Sequence, residues 1–188
     1  MIELGILADD LTGGMMVASL LEREGVDCPL VTSVDELESL ANSTATAVVV
    51  ARKIRLIPAK DARKEAIKTV QALKSIGCKR FYYKYCATFD STSQGNIGPI
   101  AEAMMEELDA SRTIFCPAFP EYTVTIFQGR MFLGNTPLGE SFKKNDPVTP
   151  MTNSNLVEVL ASQTNQKVGL IPHSLLLKGK ENIDIQLN

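Results

Sequence analysis

Apolar runs and helical stripes alternate along most of the chain. Ile2 to Ala8 is a short apolar run fit for a buried strand, and Met16 to Glu24 carries helical spacing closed by Gly25 as a stop. Asp27 to Thr32 reads as a second short strand, and Asp35 to Leu40 as a short helix with Ser33 as its cap. Ala45 to Ala51 contains Val48-Val49-Val50, a continuous apolar run of the kind found in strands covered on both faces. Pro58 to Ile76 is the clearest helix: Ala62, Ala66, Val70 and Leu73 line one face, with Lys and Glu opposite. Lys79 to Tyr85 predicts a fourth strand, Pro99 to Leu108 a helix, and Arg112 to Cys116 a fifth strand. Tyr122 to Gly134 predicts an extended excursion, and Gly139 to Ser154 an irregular stretch rich in Pro, Asn and Thr. Asn155 to Ser162 predicts a helix, Lys167 to Ile171 another strand, and Gly179 to Asn188 the start of a helix without a stop signal. Alternating strands and helices predict an α/β fold of three layers, a mostly parallel, Rossmann-like sheet with helices on both faces.

Composition narrows the function classes. At 188 residues the chain is expected to form one domain, and 45% apolar residues suffice for a sizeable core. The net charge of −3, without a basic stripe, argues against nucleic acid as a partner. No run approaches the roughly 20 apolar residues of a membrane span. The N-terminus reads as a strand without a basic region before it, which excludes a signal peptide and predicts a cytoplasmic protein. The cysteines (Cys28, Cys78, Cys86 and Cys116) form no C-x-x-C pair and read as reduced thiols. His173 is the only histidine and has no ligand-spaced neighbours, so no metal site is expected.

Two strand-to-helix loops hold the candidate chemistry. The first, Asp9-Asp10-Leu11-Thr12-Gly13-Gly14, places adjacent carboxylates at the end of the first strand. Such a pair is costly unless a cation or a set of donors answers it. One carboxylate could equally cap the following helix. The second loop, Asp90-Ser91-Thr92-Ser93-Gln94-Gly95-Asn96, could be a ligand site or a turn with an Asx cap. In open α/β sheets, ligands bind at the carboxyl ends of strands. Lys84 lies inside an apolar strand, an unusual place for a charge, and could neutralise Asp9, Asp10 or Asp90. Arg55 follows the third strand, and its guanidinium suits a bidentate carboxylate clamp.

These motifs together resemble the four-carbon acid sugar kinase family. Ala8-Asp9-Asp10-Leu11-Thr12-Gly13 is similar to the family's opening, and Asp90-Ser91-Thr92 with Gly95-Asn96-Ile97-Gly98 to its second signature. Cys116-Pro117-Ala118-Phe119-Pro120-Glu121 is similar to a third. Gln128-Gly129, Glu140-Ser141 and Pro147-Val148-Thr149-Pro150-Met151-Thr152-Asn153-Ser154-Asn155-Leu156 are similar to a fourth. The Tyr-Cys-x-Thr-Phe-Asp-Ser-Thr run resembles the 3-oxo-tetronate kinase branch. The resemblance implies a sugar-acid-binding N-terminal domain over residues 1–188, truncated at its C-terminal end. It implies an ATP- and magnesium-dependent kinase acting on the terminal hydroxyl of a four-carbon sugar acid (3-oxo-tetronate, erythronate or threonate type). ATP and Mg2+ would be bound mainly outside this chain, by a nucleotide-binding domain in cis or on a separate chain. The chain alone would then be inactive.

Under this reading Asp9 and Asp10 contact or deprotonate the substrate hydroxyl, and Arg55 and Lys84 balance charge. Asp90, Ser91, Thr92, Gly95 and Asn96 hold the acid end, with backbone amides at the helix N-terminus. The chain departs from the family pattern at Met16, where a third acid is usual, and at Tyr122-Thr123-Val124-Thr125, which lacks an arginine. It departs again at Arg130 and at Lys143-Lys144-Asn145-Asp146, where the branch carries histidine. A non-catalytic sugar-acid-binding protein and a fragment that retains the fold alone are the competing readings. An exposed sheet edge would favour a homo-oligomer.

Overall fold

The computed structural model describes residues 2–40 and 42–187. Asn188, the last residue of the expected C-terminal helix, lies outside the described residues. The chain folds as two compact units. The first takes the residues up to Cys86 together with Gly95–Ile114, and the second takes Ala87–Gln94 and the chain from Phe115 onward.

The first unit is the α/β layer structure. Its elements are β1 (Leu4–Ala8), α1 (Leu11–Arg23), β2 (Leu30–Val31), a 3-10 turn at Val34–Leu40, β3 (Ala47–Ala51), α2 (Ala59–Ser75), β4 (Arg80–Lys84) and α3 (Ile97–Glu107). The four strands are parallel in the order β2-β3-β1-β4. β1 therefore sits inside the sheet, paired to β3 in the register Leu4↔Ala47 and to β4 in the register Leu4↔Arg80. Parallel crossovers are right-handed, so the connection from β1 leftward to β2 and that from β3 rightward to β4 fall on opposite faces. The core follows this rule. Ile6, Ala8, Val49 and Ala51 pack with Ala18 of α1, while Leu7 packs with Ala62, Ala66 and Val70 of α2 and with Ile100 and Met104 of α3.

Every residue of β3 is buried, as expected of a strand covered on both sides. Burial of each such Val or Leu side chain stabilises the fold by about 1.5–3 kcal/mol. α2 buries Ala62, Ala66, Thr69, Val70 and Leu73, the stripe its period predicts. Gly25 (φ +81°) and Gly77 (φ +100°) follow α1 and α2 in left-handed backbone, which lets each helix end in a tight turn at no steric cost. All four cysteines are free thiols. Burial pushes Cys28 and Cys78 up to about 11.

The second unit holds a three-stranded antiparallel sheet of β5 (Val124–Phe127), β6 (Arg130–Leu133) and β7 (Thr136–Pro137), followed by α4 (Leu156–Ala161), α5 (His173–Leu176) and α6 (Lys180–Leu187). Gln128 (φ +51°) and Gly129 (φ +74°) join β5 to β6, both left-handed as the favoured two-residue hairpin turn requires. The excursion expected at Tyr122 to Gly134 is this hairpin.

Two expected strands do not form. Arg112 to Cys116 and Lys167 to Ile171 have strand-like composition, but neither joins a ladder. Strand propensity expresses fit to a half-buried pleated surface, and both segments are largely exposed. α1 also begins five residues earlier than Met16, at Leu11. Among the described residues, no helix is long and apolar enough to cross a membrane.

Candidate functional site

β1 ends at Ala8, and the chain turns into α1 with Asp9 and Asp10 alone between them. The loop from β1 leads to the α1 face, whereas the loop from the adjacent β3 leads to the opposite face. The carboxyl ends of β1 and β3 therefore flank a topological switch point, where open α/β sheets place their ligands. Asp9, Asp10, Arg55 and Lys84 all stand at this end of the first unit.

Asp9 is fixed in place. Its amide donates to the Lys84 carbonyl (3.1 Å), and its carbonyl accepts from the amides of Ile54 (3.1 Å) and Arg55 (3.3 Å), which ties β1 to the ends of both neighbours. The Arg55 guanidinium grips the Asp9 carboxylate with two bonds, Nε to Oδ2 at 3.1 Å and Nη2 to Oδ1 at 2.7 Å. Burial pushes the Asp9 carboxyl above its ordinary range, and Arg55 opposes that rise. Burial likewise works against the Arg55 charge, but the bonds and charge of Asp9, with Asp10 adding less, more than offset it.

Asp10 takes the third guanidinium position, Arg55 Nη1 to Oδ2 at 2.7 Å. Its Oδ1 accepts from the Gly13 amide at 2.6 Å, so it also caps α1. Both sequence-level readings of this residue hold at once, because its two oxygens face different partners. The Asp9 side chain is 2% exposed and that of Asp10 is 30% exposed, so only the second carboxylate opens to solvent.

Lys84 is 8% exposed at the end of β4. Burial lowers its affinity for a proton, and the nearby Cys86, Asp9 and Asp10 recover part of the loss. Its ammonium donates to the Tyr85 carbonyl, and no ion pair to it is found among the described residues. Asn96 is buried at the start of α3 without capping that helix. Its side-chain amide donates to the carbonyls of Ile54 (2.8 Å), Arg55 (3.1 Å) and Ile57 (2.7 Å) and so holds the loop that carries Arg55. Two buried side-chain atoms lack a partner among the described residues, the Tyr83 hydroxyl and Asn96 Oδ1. A groove of about 520 Å³ lies at the ends of β2 and β3, with Leu11, Thr32, Ser33, Arg52, Lys53 and Glu65 in its lining.

Gly95 and Asn96 belong to the first unit, whereas Asp90, Ser91 and Thr92 belong to the second. There, Asp90 accepts from Thr88 Oγ1 (2.6 Å) and Lys143 Nζ (2.7 Å), and Lys143 also reaches Asp146 (3.1 Å). Burial works against the Lys143 charge, but Asp90 and Asp146 hold it above the ordinary lysine range. The amides of Thr149 and Val148, helped by Lys143, draw Asp146 down to about 2. Ser91 is buried, its hydroxyl accepting from Gln163 (2.6 Å), whose amide also reaches the Thr92 carbonyl (2.7 Å). Phe89, just before Asp90, is buried in left-handed backbone (φ +55°), a strained arrangement for an aromatic residue. Lys143, Asp146 and Gln163 are partners that sequence reasoning missed. Lys143 and Asp146 stood only as a departure from the family pattern, and Gln163 gave no signal. Among the described residues, no three His, Cys, Asp or Glu side chains converge to hold a metal ion.

An α/β unit with an acidic pair, a half-buried arginine and a buried lysine at the carboxyl end of its sheet belongs to the class of small-molecule-binding folds. The chain is a member of the family described as a sugar-binding N-terminal domain, which matches residues 4–188. It is similar to a 3-oxo-tetronate kinase of Pseudomonas savastanoi pv. phaseolicola, 43% identical over 96% of this chain and 42% of that protein. The crystal structure of a Haemophilus influenzae protein superposes with a TM-score of 0.88 at 37% identity, covering 97% of this chain and 44% of that one. A Bordetella bronchiseptica protein, crystallised with bound citrate as a domain-swapped dimer, superposes with a TM-score of 0.74 at 29% identity, covering 85% of this chain and 40% of that one. The chain thus spans less than half the length of the relatives it matches.

Proposed function

We propose that this chain is the substrate-binding half of an ATP-dependent kinase that phosphorylates a four-carbon sugar acid, of the 3-oxo-tetronate, erythronate or threonate type, at its terminal hydroxyl. The observation that carries the reading is Asp10. It is a carboxylate at the switch point, held from two sides by Gly13 and Arg55, with part of its surface open to solvent. A fixed carboxylate of this kind can accept the proton of a substrate hydroxyl or orient it for in-line transfer. Asp9 supports it from below by holding Arg55. The 3-oxo-tetronate kinase identity of relatives such as the Pseudomonas protein supports the substrate class, and the citrate held by the Bordetella protein is consistent with an acid ligand. In the second unit, Asp90, Ser91 and Thr92 are proposed as substrate contacts on a segment held by Lys143 and Gln163.

Phosphoryl transfer is chiefly a matter of positioning and charge stabilisation. ATP and magnesium would be held by a nucleotide-binding domain, in the same protein or on a second chain. The present residues would bind the acceptor and aim its hydroxyl.

The test is a calorimetric titration of the chain with D-erythronate, D-threonate and their 3-oxo forms, repeated with Asp10→Asn. Saturable binding of one acid, weakened at least about tenfold by the substitution, supports the reading. Binding that Asp10→Asn leaves unchanged removes Asp10 from the site and the reading with it.

A further inference from the structure

Asn96 stands where a helix is usually capped, and it does not cap. An Asn just before a helix ordinarily turns its side-chain oxygen onto the amides of the first turn. Asn96 makes no such bond to α3. Its Oδ1 is instead buried without a partner among the described residues. A forgone cap and an unsatisfied buried acceptor both cost stability. The other side of the amide group shows what offsets them.

The two hydrogens of Asn96 Nδ2 meet three carbonyls, those of Ile54 (2.8 Å), Arg55 (3.1 Å) and Ile57 (2.7 Å). Turning the amide over would set Oδ1 against the same three acceptors, so its orientation is fixed by them. The peptide group between Ile54 and Arg55 is held at both edges. Its carbonyl accepts from Asn96, and its amide donates to the Asp9 carbonyl (3.3 Å). From this fixed backbone the Arg55 guanidinium reaches Asp9 through Nε and Nη2 and Asp10 through Nη1. Three bonds from one planar fork demand a well-placed backbone. The contacts thus run unbroken from a buried amide to Asp10, the carboxylate of the pair that opens to solvent.

We propose that Asn96 is a positioning residue rather than a ligand contact: its side-chain amide sets the Arg55 loop and, through Arg55, the aim of Asp10. The proposal rests on the reading of Asp10 as the carboxylate that meets a sugar-acid hydroxyl. It assigns the geometry of that carboxylate to a residue 41 positions away from Arg55 in the chain. Without the amide, three carbonyls lose their donor and the loop keeps only its bonds to Asp9. The fork can then shift, and Asp10 retains the Gly13 amide as its one firm anchor.

The test uses Asn96→Ala, which removes the amide, and Asn96→Ser, which keeps a single donor. Circular dichroism melts establish that each variant is folded. The first readout needs no ligand: solvent exchange of the Arg55 Nε–H proton by NMR, taken relative to the β3 amides, which report global opening. This proton should exchange slowly in the wild type and at least about tenfold faster in Asn96→Ala. The second is calorimetric affinity for the sugar acid that the wild type binds, which should fall about tenfold in Asn96→Ala. Asn96→Ser should lie between the two in both readouts. Lost affinity with unchanged Arg55 exchange would make Asn96 a direct contact and overturn the proposal. A lowered melting temperature with both readouts unchanged would make it a brace of the fold alone and overturn it as well. Faster Arg55 exchange with unchanged affinity overturns the link to Asp10. If the wild type binds no acid, the sugar-acid reading fails, and Arg55 exchange alone decides whether Asn96 sets the fork. If neither variant folds, the wild type decides. Its Asn96 side-chain amide should show NMR couplings across the hydrogen bonds to the Ile54 and Ile57 carbonyl carbons. It should also keep its position in the spectrum when the acid is added. Absent couplings, or a ligand-induced shift as large as that of the Gly13 amide, overturn the proposal.

Discussion

At the scale of single residues, Asp9 and Asp10 have the same side chain and opposite commitments. Removing Asp9 takes away two of the three bonds on the Arg55 guanidinium and leaves it Asp10 alone, so Asp9→Ala should cost about 3 kcal/mol. Removing Asp10 loses a helix cap and one partly exposed ion pair, so Asp10→Ala should cost about 1–2 kcal/mol. Urea unfolding of the two variants checks this order; a larger cost for Asp10 would mean that the pair is anchored the other way round. The acid limb of stability separates Asp9 from Asp146. Asp146 is drawn from 3.8 down to about 2, so its contribution is present above pH 3.8 and is lost as pH falls toward 2. Asp9 is raised above 3.8, so it acts in the opposite sense, and stability from this group falls as pH climbs through its raised value. Urea midpoints measured between pH 5 and pH 2 should therefore fall less steeply in Asp146→Asn than in the wild type. An unchanged slope would show that the amides of Val148 and Thr149 do not hold this carboxylate in solution.

At the scale of elements, α1 lies on the sheet through a glycine. A Cβ on Gly14 would meet Ala51 Cβ at 2.9 Å, Val49 Cγ1 at 3.2 Å and Leu30 Cδ1 at 3.3 Å. Ala51 Cβ is anchored to the backbone and cannot swing aside. Gly14→Ala should thus destabilise by about 1–2 kcal/mol, the overpacking cost exceeding the gain in helix propensity. A neutral or raised urea midpoint would place α1 further from β3. The same contact shows how far the elements could be read from the chain. The stripe of α2 and the solid apolar run of β3 are local patterns, and both lie within two residues of their expected bounds. The sequence pattern places the start of α1 too late because Gly13 and Gly14 resemble a loop. They are helical residues that owe their identity to neighbours on Asp10, Lys84 and β3. The runs at Arg112 to Cys116 and Lys167 to Ile171 have strand composition, but a strand needs a partner, and pairing is not written in a single segment. The aspartates and Lys84 were legible because charge at a strand end is anomalous. The saturation of Arg55, the carbonyl contacts of Asn96 and the reach of Lys143 to Asp90 were not, since each joins positions about 40 residues or more apart.

At the scale of the whole molecule, resistance to opening should follow burial and pairing rather than position along the chain. β3 pairs on both sides, with β2 and with β1, and its five residues are all buried. β1 is likewise paired on both sides and is covered by α1 on one face and by α2 and α3 on the other. Opening either strand exposes the shared core, so their amides can exchange only when the first unit unfolds. α5 and α6 stand at the other limit. α5 has no buried residue, and Leu177 and Ile185 are about three-quarters exposed, at 75% and 74%. Helices this short gain little from propensity alone and hold their shape through packing, of which these have little. Native-state hydrogen exchange should therefore show β1 and β3 amides exchanging slowest, at rates that track global stability. The amides of α5 and α6 should exchange within the first time points, with opening free energies near zero. Adding denaturant should speed the first group and leave the second almost unchanged, because local fraying exposes little new surface. Strong protection of α5 and α6, rising and falling with that of β3, would mean that these helices are packed against a surface in solution. It would also mean that the sheet core does not set the order of unfolding.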